Sequence, residues 1–252
     1  MLVLGGTTEA SQIADALAGD ARFVATLSLA GRTITPIVPK IPMRVGGFGG
    51  AAGLAAHIAE HRIEVLIDAT HPFATTIKRS AVTAARDTGV PLLVVHRPPW
   101  TAVAGDQWIG VADLAAAAAA LGPAPRRVFL TVGRKDLAPF VAQPQHRYVV
   151  RSVDAPSDDA LPPHAEVIAA RGPFGEAAEH RLMADRAIEI LVTKNSGGSA
   201  AAAKLAVARA LGIPVVMVAR PTPPEAESVE TASEAMNWLA QVHAGTRVQR
   251  GV

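Results

Sequence analysis

The 252-residue chain contains no cysteine, which excludes disulfides and thiolate metal sites. It also lacks a dominant charge: 24 Lys plus Arg stand against 22 Asp plus Glu, a net charge of +2. That balance excludes the broad positive field of a non-specific nucleic-acid binder, so any basic site has to be local. No uninterrupted apolar run is long enough to span a membrane, and no leader pattern precedes the first predicted strand at Leu2. The expectation is a cytoplasmic protein without membrane or nucleic-acid partners. Charged residues are scarce at 18% while apolar residues reach 50%, so the chain can bury a large core, and its length allows one or two domains.

Several chemistries are missing as motifs. There is no G-x-x-x-x-G-K-S/T phosphate loop, no G-x-S-x-G elbow, no H-E-x-x-H helix and no EF-hand loop. The only tyrosine, Tyr148, is followed four residues later by Ser152 and not by lysine, which removes the acid–base pair of short-chain dehydrogenases. No carboxylate occurs between Asp20 and Glu60. A methyltransferase or an NAD enzyme would need one there to grip the cofactor ribose.

What is present begins at the N-terminus. Leu2-Val3-Leu4 reads as a buried strand that runs into Gly5-Gly6-Thr7-Thr8-Glu9-Ala10 and then a helical pattern through Ile13, Ala14 and Leu17. Strand, glycine turn and helix start make an anion site, because free helix N–H groups and the positive dipole end face whatever lies over the turn. The match to G-x-G-x-x-G/A is partial: Gly5 and Ala10 take the first and last places, and Thr7 stands where a second glycine is usual. A threonine hydroxyl there offers a donor to a phosphate oxygen instead. An ordinary strand–turn–helix start would look the same.

A second strand is expected over 22–29, ending in Ser28-Leu29-Ala30-Gly31-Arg32. With no acid present and a base at hand, Ser28 and Arg32 are read as contacts to the 2′-phosphate of NADPH, the alternative being a solvated arginine. Gly46 to Gly50 marks a turn and is compatible with a lid. Val65-Leu66-Ile67 forms a strand that ends in Asp68-Ala69-Thr70-His71-Pro72-Phe73-Ala74, which faces the same crevice as the first turn because ligands collect at strand carboxyl ends. Pro72 is expected in the first turn of the following helix. His71 is open between proton donor and cap or cofactor contact; the latter is favoured because no partner acid is identifiable. Val90 to Val95 closes the series, and His96-Arg97-Pro98-Pro99 reads as a boundary.

A second strand–helix alternation follows. Strands are read at 127–132, 167–170, 188–192 and 214–218, and Tyr148-Val149-Val150 as a short strand or edge. Helices are read from Leu114 to Leu121, from Ala200 to Leu211 and from Ala232 to Val242. The fold expected is α/β, two Rossmann-like parallel-sheet domains with a cleft between them, residues 1–105 and residues 106–252. Three strand ends of the second half carry cations beside glycine: Gly133-Arg134-Lys135, Arg171-Gly172 and Lys194-Asn195-Ser196-Gly197-Gly198. Such turns offer charge-assisted bonds to carboxylates or phosphates, and three of them point to several acidic groups on one ligand. Solvated loop ends are the competing explanation for any one of them.

Through these turns the chain resembles the precorrin-6A reductases of cobalamin biosynthesis. The residues that carry the likeness are Leu4 to Ala10, Asp68 to Ala74, Gly133-Arg134-Lys135 and Thr193 to Gly198, spread over nearly the whole length. The resemblance implies NADPH-dependent reduction of precorrin-6A to precorrin-6B, with hydride to C19 and a proton to C18, the N-terminal half holding NADPH and the C-terminal half mostly holding the macrocycle. It implies Gly5, Gly6, Thr7, Thr8 and Glu9 at phosphate and ribose, Ser28 and Arg32 at the 2′-phosphate, and Thr70, His71, Pro72 and Phe73 beside the nicotinamide. For the substrate carboxylates it implies Arg134, Lys135, Arg171 and Lys194, with Ser196, Gly197 and Gly198 donating from a helix start and Lys78 and Arg97 as weaker candidates. No catalytic side chain and no metal site are named. The resemblance is compatible with a monomer that hands its product to the next enzyme of the pathway. A regulatory protein that senses NADP without turnover, or an NADPH reductase of another polyanion, would share the first half.

Overall fold

The computed structural model describes residues 1–31 and 37–249, so Arg32 lies outside the described residues. The chain forms two compact units, Met1–Pro98 with Pro221–Val252, and Pro99–Arg220. It runs first through β1 (Leu2–Leu4), α1 (Thr8–Ala18), β2 (Thr26–Leu29), β3 (Met43–Val45), α2 (Ala51–Glu60), β4 (Leu66–Asp68), α3 (Thr75–Thr88) and β5 (Leu92–Val95). The second unit follows with β6 (Trp108–Val111), α4 (Leu114–Ala119), β7 (Arg127–Leu130), α5 (Ala138–Val141), β8 (Arg147–Ser152), β9 (Ala165–Ala169), α6 (Glu176–Asp185), β10 (Ile190–Lys194), α7 (Ala203–Ala210) and β11 (Val215–Val218). The chain then returns to the first unit with β12 (Ser228–Val229) and α8 (Ala232–Gln249).

Each unit is Rossmann-like, a six-stranded sheet in which all observed pairings are parallel, with orders β12-β5-β4-β1-β2-β3 and β6-β11-β10-β7-β8-β9. Both reproduce the doubly wound order 3-2-1-4-5-6. The sixth place is filled unusually in each. After β5 the chain leaves to pair β6 with β11, Trp108 opposite Val215, and after β11 it returns to pair β12 with β5, Ser228 opposite Val94. The two sheets thus take their last strands across the two crossings of the chain.

The central strands are continuous apolar runs because both faces are covered by helices. Leu2, Val3, Leu66 and Ile67 in one sheet, and Val128, Phe129, Leu191 and Val192 in the other, have no exposed surface. On α1 the buried residues Ala10, Ile13, Ala14 and Leu17 follow the i, i+3, i+4, i+7 spacing of one helix face. Burying Ile13 and Leu17 contributes roughly 1.5–3 kcal/mol each. α3 stops at Gly89, whose φ of 71° is the left-handed cap that a glycine adopts without strain.

The structure corrects several expectations. The C-terminal segment 221–252, read above as part of the second domain, belongs with the first unit, because β12 and α8 pack on β5 and α1 and place Ala235, Trp238 and Leu239 in its core. Residues 22–25 are not strand: β2 starts only where Thr26 finds Leu2, and Val24 points to solvent. Tyr148-Val149-Val150 is no edge but part of a strand between β7 and β9, with Tyr148 buried and its hydroxyl donating to Gln143 O at 2.9 Å. No strand was expected at β3, β6 or β12. Among the described residues no helix is long and apolar enough to cross a membrane.

Candidate functional site

In each unit the order of strands reverses beside the first central strand, and crevices form at the carboxyl ends there. In the first unit those ends are Gly5 to Glu9 after β1 and Ala69 to Ala74 after β4. Gly5 is required by packing: a Cβ would meet Leu27 Cδ1 at 2.7 Å and Ala10 Cβ at 3.3 Å. Gly6 is required by its φ of 118° and faces open space. Thr7, by contrast, has an ordinary extended conformation, φ −128° and ψ 169°, so no glycine is needed in the second place of the fingerprint.

Thr7 is the N-cap of α1. Its Oγ1 accepts from Ala10 N at 3.2 Å and donates to Ala69 O at 2.7 Å. The hydroxyl proton therefore ties the first turn to the end of β4, which corrects the expectation that it donates to a phosphate. The donors left at this helix start are backbone N–H groups, since Thr8 and Glu9 have no acceptor inside the helix. A carboxylate at Glu9 would repel a phosphate; Arg97, at the end of β5, neutralises it with Nη1 2.9 Å from Glu9 Oε2.

The turn after β4 is built on Asp68, which is fully buried. Its Oδ1 accepts from Thr70 N at 2.9 Å and Thr70 Oγ1 at 2.6 Å, and its Oδ2 accepts from Lys78 Nζ at 3.2 Å. Lys78 is only 3% exposed, so its ammonium is held beneath the turn by Asp68. His71 Nδ1 accepts from Phe73 N at 3.2 Å. That bond requires the other ring nitrogen to carry the proton in a neutral imidazole. Pro72 is buried in this turn ahead of α3, which starts at Thr75, and not in the helix's first turn as expected.

In the second unit the turns carrying cations are joined to each other. Lys194 Nζ donates to Asp136 Oδ2 at 2.8 Å, linking the end of β10 to the Gly133-Arg134-Lys135-Asp136 turn after β7. Phe174 N donates to Ala200 O at 3.2 Å, and a Cβ on Gly172 would come within 3.0 Å of the same carbonyl, so the Arg171 turn is pressed against the loop after β10. Lys135 and Arg171 are exposed, and Arg134 is half-buried. Asn195 clamps Trp100: its Oδ1 accepts from Trp100 N at 2.8 Å and its Nδ2 donates to Trp100 O at 2.9 Å. Trp100 Nε1 in turn donates to Gly198 O at 3.0 Å. Gly197 and Gly198 have φ of 64° and 80°. Because α7 begins at Ala203, Ser196, Gly197 and Gly198 lie in the loop and not at the helix start expected for them.

The match of a family model decides the kinship: the model described as Precorrin-6x reductase CbiJ/CobK covers residues 1–240. The chain belongs to that family. A precorrin-6A reductase of Rhodobacter capsulatus is 48% identical over 252 residues, covering 100% of this chain and 99% of the relative. One from a Sinorhizobium species is 47% identical over 244 residues, covering 95% and 94%. A solved structure titled CobK precorrin-6A reductase superposes with a TM-score of 0.91 at 48% identity, covering 96% of each chain.

For a member of the CbiJ/CobK family the geometry also adds residues that sequence reading passed over. Arg44 at β3 sits beside Ser28, and its Nη1 donates to Ser28 Oγ at 2.8 Å. Beneath the basic turns, the buried Arg151 guanidinium is paired with Glu179 through Nη1 and Oε1 and stacked on Phe174, 3.7 Å from the ring centroid. Lys204 lies buried on α7, its Nζ 5.2 Å from the Trp100 ring centroid. Burial first, then the neighbouring Arg151 and Lys194, push its pKa down from the usual lysine range to about 7, with Glu179 opposing. The only trace of Arg151 and Lys204 in the sequence is a cation inside an apolar pattern, Val150-Arg151 and Ala203-Lys204-Leu205.

Proposed function

We propose that this protein reduces precorrin-6A to precorrin-6B with NADPH, the first unit holding the cofactor and the second the carboxylates of the macrocycle. The observation that carries this is the linkage of the Gly133, Arg171 and Lys194 turns into one group by the Lys194–Asp136 pair and the Phe174–Ala200 bond. The linked turns carry four cations, Arg134, Lys135, Arg171 and Lys194, which suits a ligand with several acid arms. Full-length kinship with reductases named for precorrin-6A supports the same reading.

The first unit fits a nicotinamide dinucleotide. Gly6 leaves space over the turn, the helix start offers N–H donors, and no carboxylate occurs from Ala21 to Ala59 to meet a 2′-phosphate. Gly5, Gly6, Thr8 and Glu9 would hold the pyrophosphate through their backbone. Thr70, His71, Pro72 and Phe73 would wall the nicotinamide, with Ser28 and Arg32 on the side of the 2′-phosphate. NADPH when bound supplies the hydride, taken up at C19 of the ring, while a proton is added at C18. Lys78 and Arg97 act in this reading by fixing Asp68 and Glu9, leaving the macrocycle to Arg134, Lys135, Arg171 and Lys194 with Ser196, Gly197 and Gly198 beside them.

The test is a difference spectrum of purified protein with NADPH before and after addition of precorrin-6A. Loss of reduced-nicotinamide absorbance together with a reduced macrocycle is expected. NADPH that stays reduced while the tetrapyrrole binds would overturn turnover in favour of a sensing role, and oxidation that ignores the tetrapyrrole would assign another substrate. The same addition with the cobalt form of the ring decides which ring is used.

A further inference from the structure

Among the described residues, Arg44 is a cation without a counter-ion. No carboxylate is present in the sequence from Ala21 to Ala59, and no ion pair reaches Arg44 among the described residues. Yet its guanidinium is held more firmly than a surface arginine. Nη1 donates to Ser28 Oγ at 2.8 Å and to Gly46 O at 3.1 Å, and Nη2 donates to Gly47 O at 3.3 Å. Phe48 covers one face, its ring centroid 4.0 Å from the guanidinium carbon. Three of five N–H groups are thereby used. Among the described residues, those remaining are Nε–H and one on Nη2, the pair that forms a side-on fork matching two oxygens of a phosphate.

The position is as specific as the geometry. Arg44 is the register partner of Ser28 across β2 and β3, and Ser28 O accepts from Gly5 N at 2.9 Å. One residue therefore separates the guanidinium from the first glycine of the phosphate turn. In a doubly wound sheet with its dinucleotide pyrophosphate at the β1 turn, the adenosine ribose lies toward the end of the second strand. A cation held at that strand end, with its fork unengaged and no acid beside it among the described residues, stands where the ribose 2′ position of such a dinucleotide would come.

We propose that Arg44 reads the 2′-phosphate of the cofactor and sets the choice of NADPH over NADH, with Ser28 and Phe48 as the residues that position it. This rests on the assignment of NADPH to the first unit. It shifts the role of Ser28 from direct contact with the phosphate to tethering of the guanidinium.

The experiment is calorimetric titration of the full-length protein with NADPH, NADH, 2′,5′-ADP and 5′-AMP, which needs no turnover. Wild-type protein prefers NADPH and 2′,5′-ADP to their unphosphorylated counterparts. Arg44→Ala loses on the order of tenfold to hundredfold in affinity for the two phosphorylated ligands, the range of a charge-assisted bond, and about nothing for NADH and 5′-AMP. Arg44→Lys, which keeps the charge without the fork, recovers part of the loss, and Ser28→Ala shows a smaller loss of the same selectivity. Circular dichroism establishes that each variant is folded. Equal losses for phosphorylated and unphosphorylated ligands, or a selective loss in Arg32→Ala and none in Arg44→Ala, overturn the assignment to Arg44 while leaving NADPH as cofactor. A wild-type protein that binds neither NADPH nor 2′,5′-ADP removes the cofactor reading itself.

Discussion

The two units are built to one plan and differ in what they do with charge. Each has the order 3-2-1-4-5-6, and each presents its turns after the first and fourth strands of that order. In the first unit every charge at those turns is matched within the unit: Glu9 by Arg97, and Asp68 by Lys78. What is left over there is backbone N–H. In the second unit Asp136 answers Lys194, and the same group of turns also carries Arg134, Lys135 and Arg171, with Lys204 buried below them. The fold supplies the place for a ligand in both halves, and the side chains on the turns set its chemistry. A neutralised cradle with helix donors suits a pyrophosphate, and turns rich in arginine and lysine suit a molecule with several separate acids.

Breaking the internal pairing of the first unit has the largest expected effect. Asp68→Ala leaves Lys78 charged and buried at 3% exposure, and removing one partner of a buried pair costs about 3–5 kcal/mol. Thermal unfolding should show that loss, with NADPH binding weakened because Thr70 loses both its bonds. A melting temperature within a degree or so of wild type would mean that the Asp68 network does not organise the turn.

Lys204 sharpens the contrast from the other side. Its pKa, lowered in the folded state to about 7 from the 10.5 of the unfolded chain, means that the folded state binds fewer protons between those values. Wild-type stability therefore rises with pH through that window, and below about pH 7 the cost of the buried ammonium is felt in full. Lys204→Met should stabilise the protein at pH 6, by roughly 2 kcal/mol, and the gain should shrink toward pH 10. A difference in melting temperature that stays constant with pH would contradict the burial argument.

Lys194→Ala tests the division of labour. It should raise the KM for the tetrapyrrole about tenfold, the scale of one charge-assisted bond, with NADPH affinity unchanged; a collapse of cofactor binding would show that the two units are misassigned. The smallest effect is expected for Thr7→Ala, which removes an N-cap and the tie to Ala69 and costs about 1 kcal/mol. Chemical denaturation measures it. A tenfold larger loss of NADPH affinity than of stability would restore the hydroxyl as a phosphate donor.

Much of this was legible from residue order. Alternating apolar runs and helix faces gave both parallel sheets, since central strands covered on both sides must be apolar throughout. The Gly5-Gly6 and Asp68 to Ala74 turns, and the cations after β7, β9 and β10, were visible as short strings. Three kinds of feature were not. The edge strands β6 and β12 carry no pattern of their own: Ser228–Val229 is two residues long, and Gly110 interrupts Trp108–Val111. The partners of charged residues were hidden because they come from distant segments, Arg97 to Glu9 and Lys194 to Asp136. Arg44 escaped because a single arginine between Met43 and Val45 looks like the outward residue of an edge strand until Ser28 and Phe48 are seen against it.

Residue order alone fixed the places at which this chain turns back from a strand, and the donors, glycines and cations available there, because turn chemistry and burial periodicity act over a few neighbouring residues. Which of those cations keep their charge for a ligand was decided only when the chain closed on itself. Ion pairing and desolvation depend on atoms brought within a few ångströms by strand order, and Lys78, Arg97 and Lys204 cannot be told from Arg44 until that order exists.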